Sequence, residues 1–405
     1  MTRKPKRDLT IEDQLSRGPV DLPFLMLVLL LVGFGLIMVF SASYASAYYD
    51  AKKGNDPLFY ITRQAIYAML GICVMVAVSR FNYQKLRGLS MVLLLVSVIL
   101  LVLTLSPLGV TINKAKRWLR MFILFGPTYQ PSEIAKIAVI LVFAARLSKR
   151  DTQPRKRFDR RSFRGRVGDF LQRIGFLELI PYGVILAIVA GLVVLEPHMS
   201  GTILILIGAA AVLFASGIHL GWFAAGGAVI ATALTVIIKM TDYMTTRITI
   251  WRDPWVDPQN KGFQNIQALL AMGSGGLLGL GLGQSKQKFL YIPEPENDFI
   301  FAIVVEELGF IGAALLLFLF AMLILRGYWL ALHARDKFGT LVIVGITTLL
   351  AAQVFLNIAV VTKLVPNTGI SLPFFSYGGT ALVMQLAEMG IILSISRQIP
   401  ASGRD

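Results

Sequence analysis

The chain has 405 residues, 56% of them hydrophobic and only 15% charged, with a mean hydropathy of +0.69. A soluble globular chain carries about a quarter charged residues, and in such a chain a net charge of +16 would point to nucleic acid. Here the basic residues sit between long apolar blocks, and one cysteine, Cys73, leaves no internal disulfide or CxxC site. A soluble enzyme, a disulfide scaffold and a disordered tail are excluded. The expected fold class is all-α, a polytopic integral membrane protein with no nucleic-acid partner.

A membrane-crossing helix needs about 20 mostly apolar residues. Ten segments qualify: 22–44, 62–80, 88–106, 131–148, 178–195, 200–217, 220–238, 299–325, 339–362 and 374–396. The first is too long for a signal-peptide core, so it is expected to remain as a span. The fourth is the least apolar, because QPSEIAKIAVILVF carries Glu133 and Lys136. The sixth and seventh are separated by little more than SGIHLG.

Orientation follows from Lys and Arg. With the N-terminus inside, 24 of the 39 basic residues fall on the cytoplasmic side and 14 outside, with Lys136 in the fourth span. The cluster KRDTQPRKRFDRRSFRGR, in the cytoplasmic loop 149–175, decides the balance. It reads as a topology determinant resting on anionic membrane lipids. The prediction is therefore N-in/C-in: a cytoplasmic tail 1–21, a membrane domain 22–396 and a cytoplasmic tail 397–405.

Two outer connections are too long to be turns. Residues 107–130 hold the basic and aromatic GVTINKAKRWLRMFILFGPTYQ, and residues 239–298 form the large extracytoplasmic loop before the eighth span. Loops of that length are usually functional. Short interfacial helices are expected at about 247–251 and 264–272. The glycines from Gly273 to Gly283 have no preceding strand and no GKS/T ending, so they read as a re-entrant or hinge segment rather than a nucleotide loop.

A charge inside the bilayer costs about 2.5–3.5 kcal/mol on insertion scales, so each needs a partner or a task. Glu133 and Lys136 share a helical face and could neutralise each other or present a cation to a phosphate. Asp298, Glu306 and Glu307 lie in PEPENDFIFAIVVEELGF. Asp298 stands where polar sequence becomes span and could serve as a cap, although Asn297 could do the same. Adjacent glutamates in a span are too costly to be filler. Arg117, Arg120, Arg247, Arg252, Lys286 and Lys288 supply outer cations, which with Asp298 outline a wet cleft. His198, His219 and His333 are scattered and form no metal site, and no G-x-S-x-G or Cys-His arrangement is present. The last outer connection, KLVPNTGISLPFFSYGGTALVM, reads as a broken-helix entrance lining a cavity.

Several blocks resemble the SEDS family (shape, elongation, division and sporulation) of membrane-embedded peptidoglycan glycosyltransferases. They are KRWL at 116–119, QPSEIAK at 130–136, EPHMSGTILI at 196–205, RITIWRDP at 247–254, the run at 262–310 and PNTGISLPFFSYGG at 366–379. The EPHMSGT segment resembles the division and sporulation branches (FtsW-like, SpoVE-like) more than the elongation branch (RodA-like). Two places depart from the family pattern: Glu296-Asn297, and Lys363. The resemblance implies polymerisation of lipid II, with Asp298 as general base and Glu133, Lys136, Arg117 and Arg247 at the pyrophosphate. Glu306, Glu307, Gln130, Ser132 and Ser376 are expected to support the cavity. It implies a class B penicillin-binding transpeptidase and other divisome proteins as partners. A divalent cation (Mg or Mn) could assist the leaving group, although the sequence shows no protein cage for one. The competing readings are a flippase of the same precursor and a non-catalytic scaffold.

Overall fold

The computed structural model describes residues 18–112, 115–120, 128–150, 175–196, 198–240, 242–260, 262–289 and 291–399. Expectations for residues 1–17, 151–174 and 400–405 lie outside them. Twelve α-helices are described, in chain order α1 Leu22–Tyr48, α2 Phe59–Arg80, α3 Gln84–Leu105, α4 Pro131–Leu147, α5 Phe176–Leu195, α6 Met199–Ala215, α7 Leu220–Met240, α8 Asp242–Arg252, α9 Phe263–Gly275, α10 Ile300–His333, α11 Lys337–Val361 and α12 Gly379–Ser396. A two-stranded antiparallel hairpin, β1 Gly109–Ile112 and β2 Ala115–Leu119, stands between α3 and α4.

Each of the ten expected apolar segments falls on a helix, α1 to α7 and α10 to α12. Seven of these are long and apolar enough to cross a membrane. Their outward faces carry large apolar side chains: Met26, Leu30 and Ile37 on α1, Leu95 and Ile99 on α3, and Leu315 and Phe318 on α10. Contiguous apolar surface of that kind is tolerated against lipid, not water. The molecule is a mostly helical, polytopic membrane protein.

Local signals place the helix starts. Asp21 caps α1, accepting from the Phe24 amide at 3.0 Å, with Pro23 in the first turn. Asp336 caps α11 in the same way through Gly339. α4 begins on Pro131 with Glu133 in its first turn, where the helix dipole favours an anion. Nearly every residue of α4 is buried, Glu133 and Lys136 included, because it packs against α3, α5, α6, α11 and α12.

The expected short helices at 247–251 and 264–272 lie within α8 and α9; α8 is the longer than expected, starting close behind α7. The glycine stretch pairs with α10. Leu280 and Gly281 donate to the Glu306 and Glu307 carbonyls at 3.0 and 2.9 Å, and Phe310 and Ile311 donate back to Gly276 and Leu277 at 2.9 and 3.1 Å. α10 is opened at Gly309, whose φ is +69°. A Cβ there would run into the backbone of Gly279 and Leu277. The glycines thus allow two backbones to meet where side chains would hold them apart.

Candidate active site

Asp298 lies one residue before Phe299, the N-cap of α10, so the capping role open to it in the sequence is not the one it takes. Asn297 does not cap either, since its Nδ2 donates to Glu294 Oε2 at 3.0 Å. The Asp298 turn is held through its backbone. Asn357, buried on α11, donates from Nδ2 to the carbonyls of Asp298 (2.8 Å) and Ile370 (2.7 Å). Ser376 accepts from the Leu372 amide at 2.7 Å and donates to the Asn297 carbonyl at 2.8 Å. The Tyr377 amide donates to the Glu296 carbonyl at 2.8 Å. The last connection therefore wraps the turn, and at Gly369, φ +71°, a Cβ would come within 3.3 Å of Asp298 Oδ2.

Two cations act on the carboxylate from different elements. Arg117 belongs to β2 and Arg247 to α8, where its guanidinium donates to the Asn367 carbonyl at 2.5 Å. Burial, then the charge of Glu294, pushes Asp298 up to about 6, while Arg117 and Arg247 pull the other way. A carboxylate poised near working pH is suited to accept a proton.

A second polar group lies at the start of α4. Lys136 pairs with Glu133 at 2.8 Å, with side chains 3% and 9% exposed. His198, in the turn between α5 and α6, meets Ser132 Oγ at 3.2 Å and Gln130 Nε2 at 3.4 Å. Burial, with Arg117 and Lys136 nearby, pushes His198 down to about 3, so its ring is neutral. Burial pushes the adjacent Glu196 up to about 8 against the pull of Arg117. Arg117 thus acts on Asp298, Glu196 and His198 and joins the two groups electrically. Glu388, 2% exposed on α12, interacts with Lys136 and Glu133.

Glu306 and Glu307 form a third group, turned toward the 283–288 segment. Glu306 accepts from Ser285 Oγ (2.5 Å) and the Lys286 amide (2.9 Å). Glu307 accepts from Ser41 Oγ at 2.6 Å and the Ser285 amide at 3.2 Å, and pairs with Lys288 at 3.1 Å. Lys288 is therefore a buried partner here rather than a cation of the cleft.

The sequence reading gave no site role to Glu196, His198, Glu294, Asn357 or Glu388. Glu388 and Asn357 carried a usable signal, a polar group inside an apolar span. His198 carried only its neighbour Pro197, and its meeting with Ser132 depends on packing between helices distant in sequence. For a divalent cation, no group of three His, Cys, Asp or Glu side chains gathers among the described residues. The charges acting on Asp298 include two cations, Arg117 and Arg247, which disfavour a metal ion there, so the described residues do not form a protein cage for one.

The fold and the site define a polytopic membrane protein in which two arginines act on one carboxylate, at the end of the bundle that carries its long connections. Residues 22–400 match the cell cycle protein family FtsW/RodA/SpoVE, and the chain belongs to that family. It is 39% identical over 381 residues to the probable peptidoglycan glycosyltransferase FtsW of Geobacter sulfurreducens, covering 94% of this chain and 95% of the relative. It is 40% identical to the stage V sporulation protein E of Bacillus subtilis, covering 93% and 97%. Among solved structures, it resembles a chain from a study of how a peptidoglycan synthase complex coordinates polymerization and crosslinking (TM-score 0.71, 27% identity, 93% and 98% covered). It also resembles the rod shape determining protein RodA of Thermus thermophilus (TM-score 0.65, 26% identity, 95% and 98% covered).

Proposed function

We propose that this chain is a peptidoglycan glycosyltransferase that polymerises lipid II at the outer face of the cytoplasmic membrane, serving septal wall synthesis in cell division. Ten spans with both termini inside put the long connections, and with them Asp298, on the outer side. The observation that carries the reading is Asp298: a carboxylate raised to about 6, its backbone fixed by Asn357, with Arg117 and Arg247 acting on it.

Asp298 takes the proton from the 4-hydroxyl of the acceptor sugar as that oxygen attacks the anomeric carbon of the donor. The donor bond to undecaprenyl pyrophosphate breaks from the opposite face, so the centre inverts. A positioned base contributes about 10²–10⁴-fold. The charge growing on the pyrophosphate needs preorganised cations, which Arg117, Arg247 and Lys136 supply. Lys136 is already paired with Glu133, so it reaches the pyrophosphate only by loosening that pair. Gln130, Ser132 and His198 hold the start of α4 in place, and Ser376 holds the base's turn. Glu306 and Glu307 support the cavity by anchoring the segment beside it. A class B penicillin-binding transpeptidase that crosslinks the new strands is the expected partner, together with other divisome proteins.

Purified lipid II, the protein and its cognate transpeptidase test the reading. Wild type should make glycan strands, and folded Asp298→Ala should make none. Strands of normal yield from Asp298→Ala would remove the base assignment. Transfer of lipid II across vesicles without polymerisation would favour a flippase, whose charges would be expected at the midplane rather than at one end of the bundle.

A further inference from the structure

The end of the bundle away from Asp298 holds a cavity of about 380 Å³. α10 runs from the Asp298 turn to Arg326 near its other end, and there Arg326 pairs with Asp21, the cap of α1. The start of α1 and the ends of α2 and α12 meet on that side. α2 and α12 touch backbone to backbone at Gly390, where a Cβ would fall 2.7 Å from the Met75 carbonyl oxygen. Just past that contact Val76 of α2 and Leu393 of α12 line the cavity, and Val20 and Leu25 close it from the start of α1. Arg80, in the last turn of α2, and Arg397, the C-cap of α12, complete its charged lining.

Hydrogen bonds fix the walls. The Gly18 amide donates to the Arg397 carbonyl at 2.7 Å, and Arg397 Nε donates back to the Gly18 carbonyl at 3.1 Å. The Asp21 amide donates to Ser396 Oγ at 3.3 Å, and Ser394 Oγ donates to the carbonyl of Phe81, just beyond α2, at 2.5 Å. The charge of the cavity is one-sided: no carboxylate is among its described lining residues. Asp21, next to Val20, is taken up by Arg326 and the Phe24 amide.

We propose that this cavity binds an anionic phospholipid, its phosphate against Arg80 and Arg397 and its acyl chains along Leu25 and Val76. Ligand pockets are typically roughly 300–1,000 Å³, mostly apolar with a few placed polar groups, and guanidinium groups match phosphate oxygens in shape as well as charge. A free phosphate would leave the four apolar side chains uncovered, and a lipid without net charge would not match two guanidinium groups. Val76 is 39% exposed on a span, which gives the chains a way out to the bilayer. On the orientation proposed above, this end meets the cytoplasmic leaflet, whose anionic lipids attract Lys and Arg beside the spans. The bound lipid would join the 18–21 segment, α2 and α12 from the side opposite the reaction.

The full chain in a neutral detergent tests the proposal. Dioleoyl phosphatidylglycerol, dioleoyl phosphatidylcholine and inorganic phosphate are each titrated against wild type, Arg80→Gln, Arg397→Gln and a charge-matched pair in the basic loop, Arg155→Gln with Arg157→Gln. Bound lipid is counted by mass spectrometry of the intact complex, and thermal melting follows the stabilisation that binding confers. Salt is kept at about 0.5 M to screen attraction to exposed basic residues. Wild type should retain one phosphatidylglycerol and melt higher with it, should bind phosphatidylcholine about ten-fold more weakly, and should ignore phosphate. Arg80→Gln should weaken phosphatidylglycerol binding about five-fold, the share of one basic residue. Arg397→Gln should do the same. Because it also loses the bond to Gly18, Arg80→Gln carries the test if it does not fold. The loop variant should bind as wild type does. Equal binding of the two lipids, unchanged affinity in folded Arg80→Gln, or an equal loss in the loop variant overturns the proposal. Stabilisation by inorganic phosphate alone overturns the lipid assignment in favour of a free anion.

Discussion

Asp298 and the pair Glu306–Glu307 lie within a dozen residues of each other, yet their surroundings are opposite. The glutamates are closed off: Ser41, Ser285 and Lys288, with backbone amides of the 283–288 segment, take up their oxygens. Asp298 is fixed by its carbonyl instead, with its carboxylate left among charges that act on it from other elements. Buried charges that are fully paired hold a structure together, whereas a carboxylate whose neighbours push its proton affinity upward is arranged for chemistry. Residue type alone does not tell the two kinds of carboxylate apart.

Substitutions should separate the two regions. Asp298→Ala should lower polymerisation by about 10²–10⁴-fold with little loss of apparent Tm. Glu307→Ala should do the reverse in kind: it strands Lys288 in the interior, a change worth about 3–5 kcal/mol of stability, read as a lower Tm. The double variant Glu307→Gln, Lys288→Met should recover most of that loss. If Glu307→Ala melts like wild type, the clasp is not what holds the 283–288 segment.

Asn357→Ala should cost less, because it removes two hydrogen bonds of about 1 kcal/mol each that orient the base's turn. A ten- to thirty-fold fall in kcat/KM is expected together with a Tm lower by roughly 2–4 °C, and an unchanged rate would show that the turn is set by Ser376 and Tyr377 alone. The polymerisation rate of wild type should fall as pH drops through about 6, where Asp298 becomes protonated. A rate that is flat down to pH 4.5 would contradict the raised value.

The smallest effect is on stability. Asp298 has a folded-state value of about 6 against an ordinary 3.8, so the stability tied to its protonated form is complete below 3.8 and lost as pH rises through about 6. At pH 7.5 wild type lacks that contribution, and Asp298→Asn, always neutral, does not. The variant should melt roughly 1–2 °C higher there, with the difference shrinking toward pH 4. A lower Tm at pH 7.5 would place Asp298 with the structural carboxylates.

The sequence by itself determined that the chain is a helical membrane protein and where its apolar helices fall, because bilayer thickness sets a length that hydropathy reveals directly. It also singled out Asp298, Glu133 and Lys136, since charges beside or inside apolar spans are costly enough to be conspicuous, whereas Arg117 and Arg247 stood out from the other outer cations only through the family resemblance. Only the tertiary structure decided their company. His198 meets Ser132 across 66 positions and Asn357 meets Asp298 across 59, and periodicity within a helix says nothing of such pairings. It also decided that Glu306 and Glu307 close on the 283–288 segment and that the glycines meet the opened turn of α10, because hydrogen bonding and backbone approach depend on which surfaces the packing brings together.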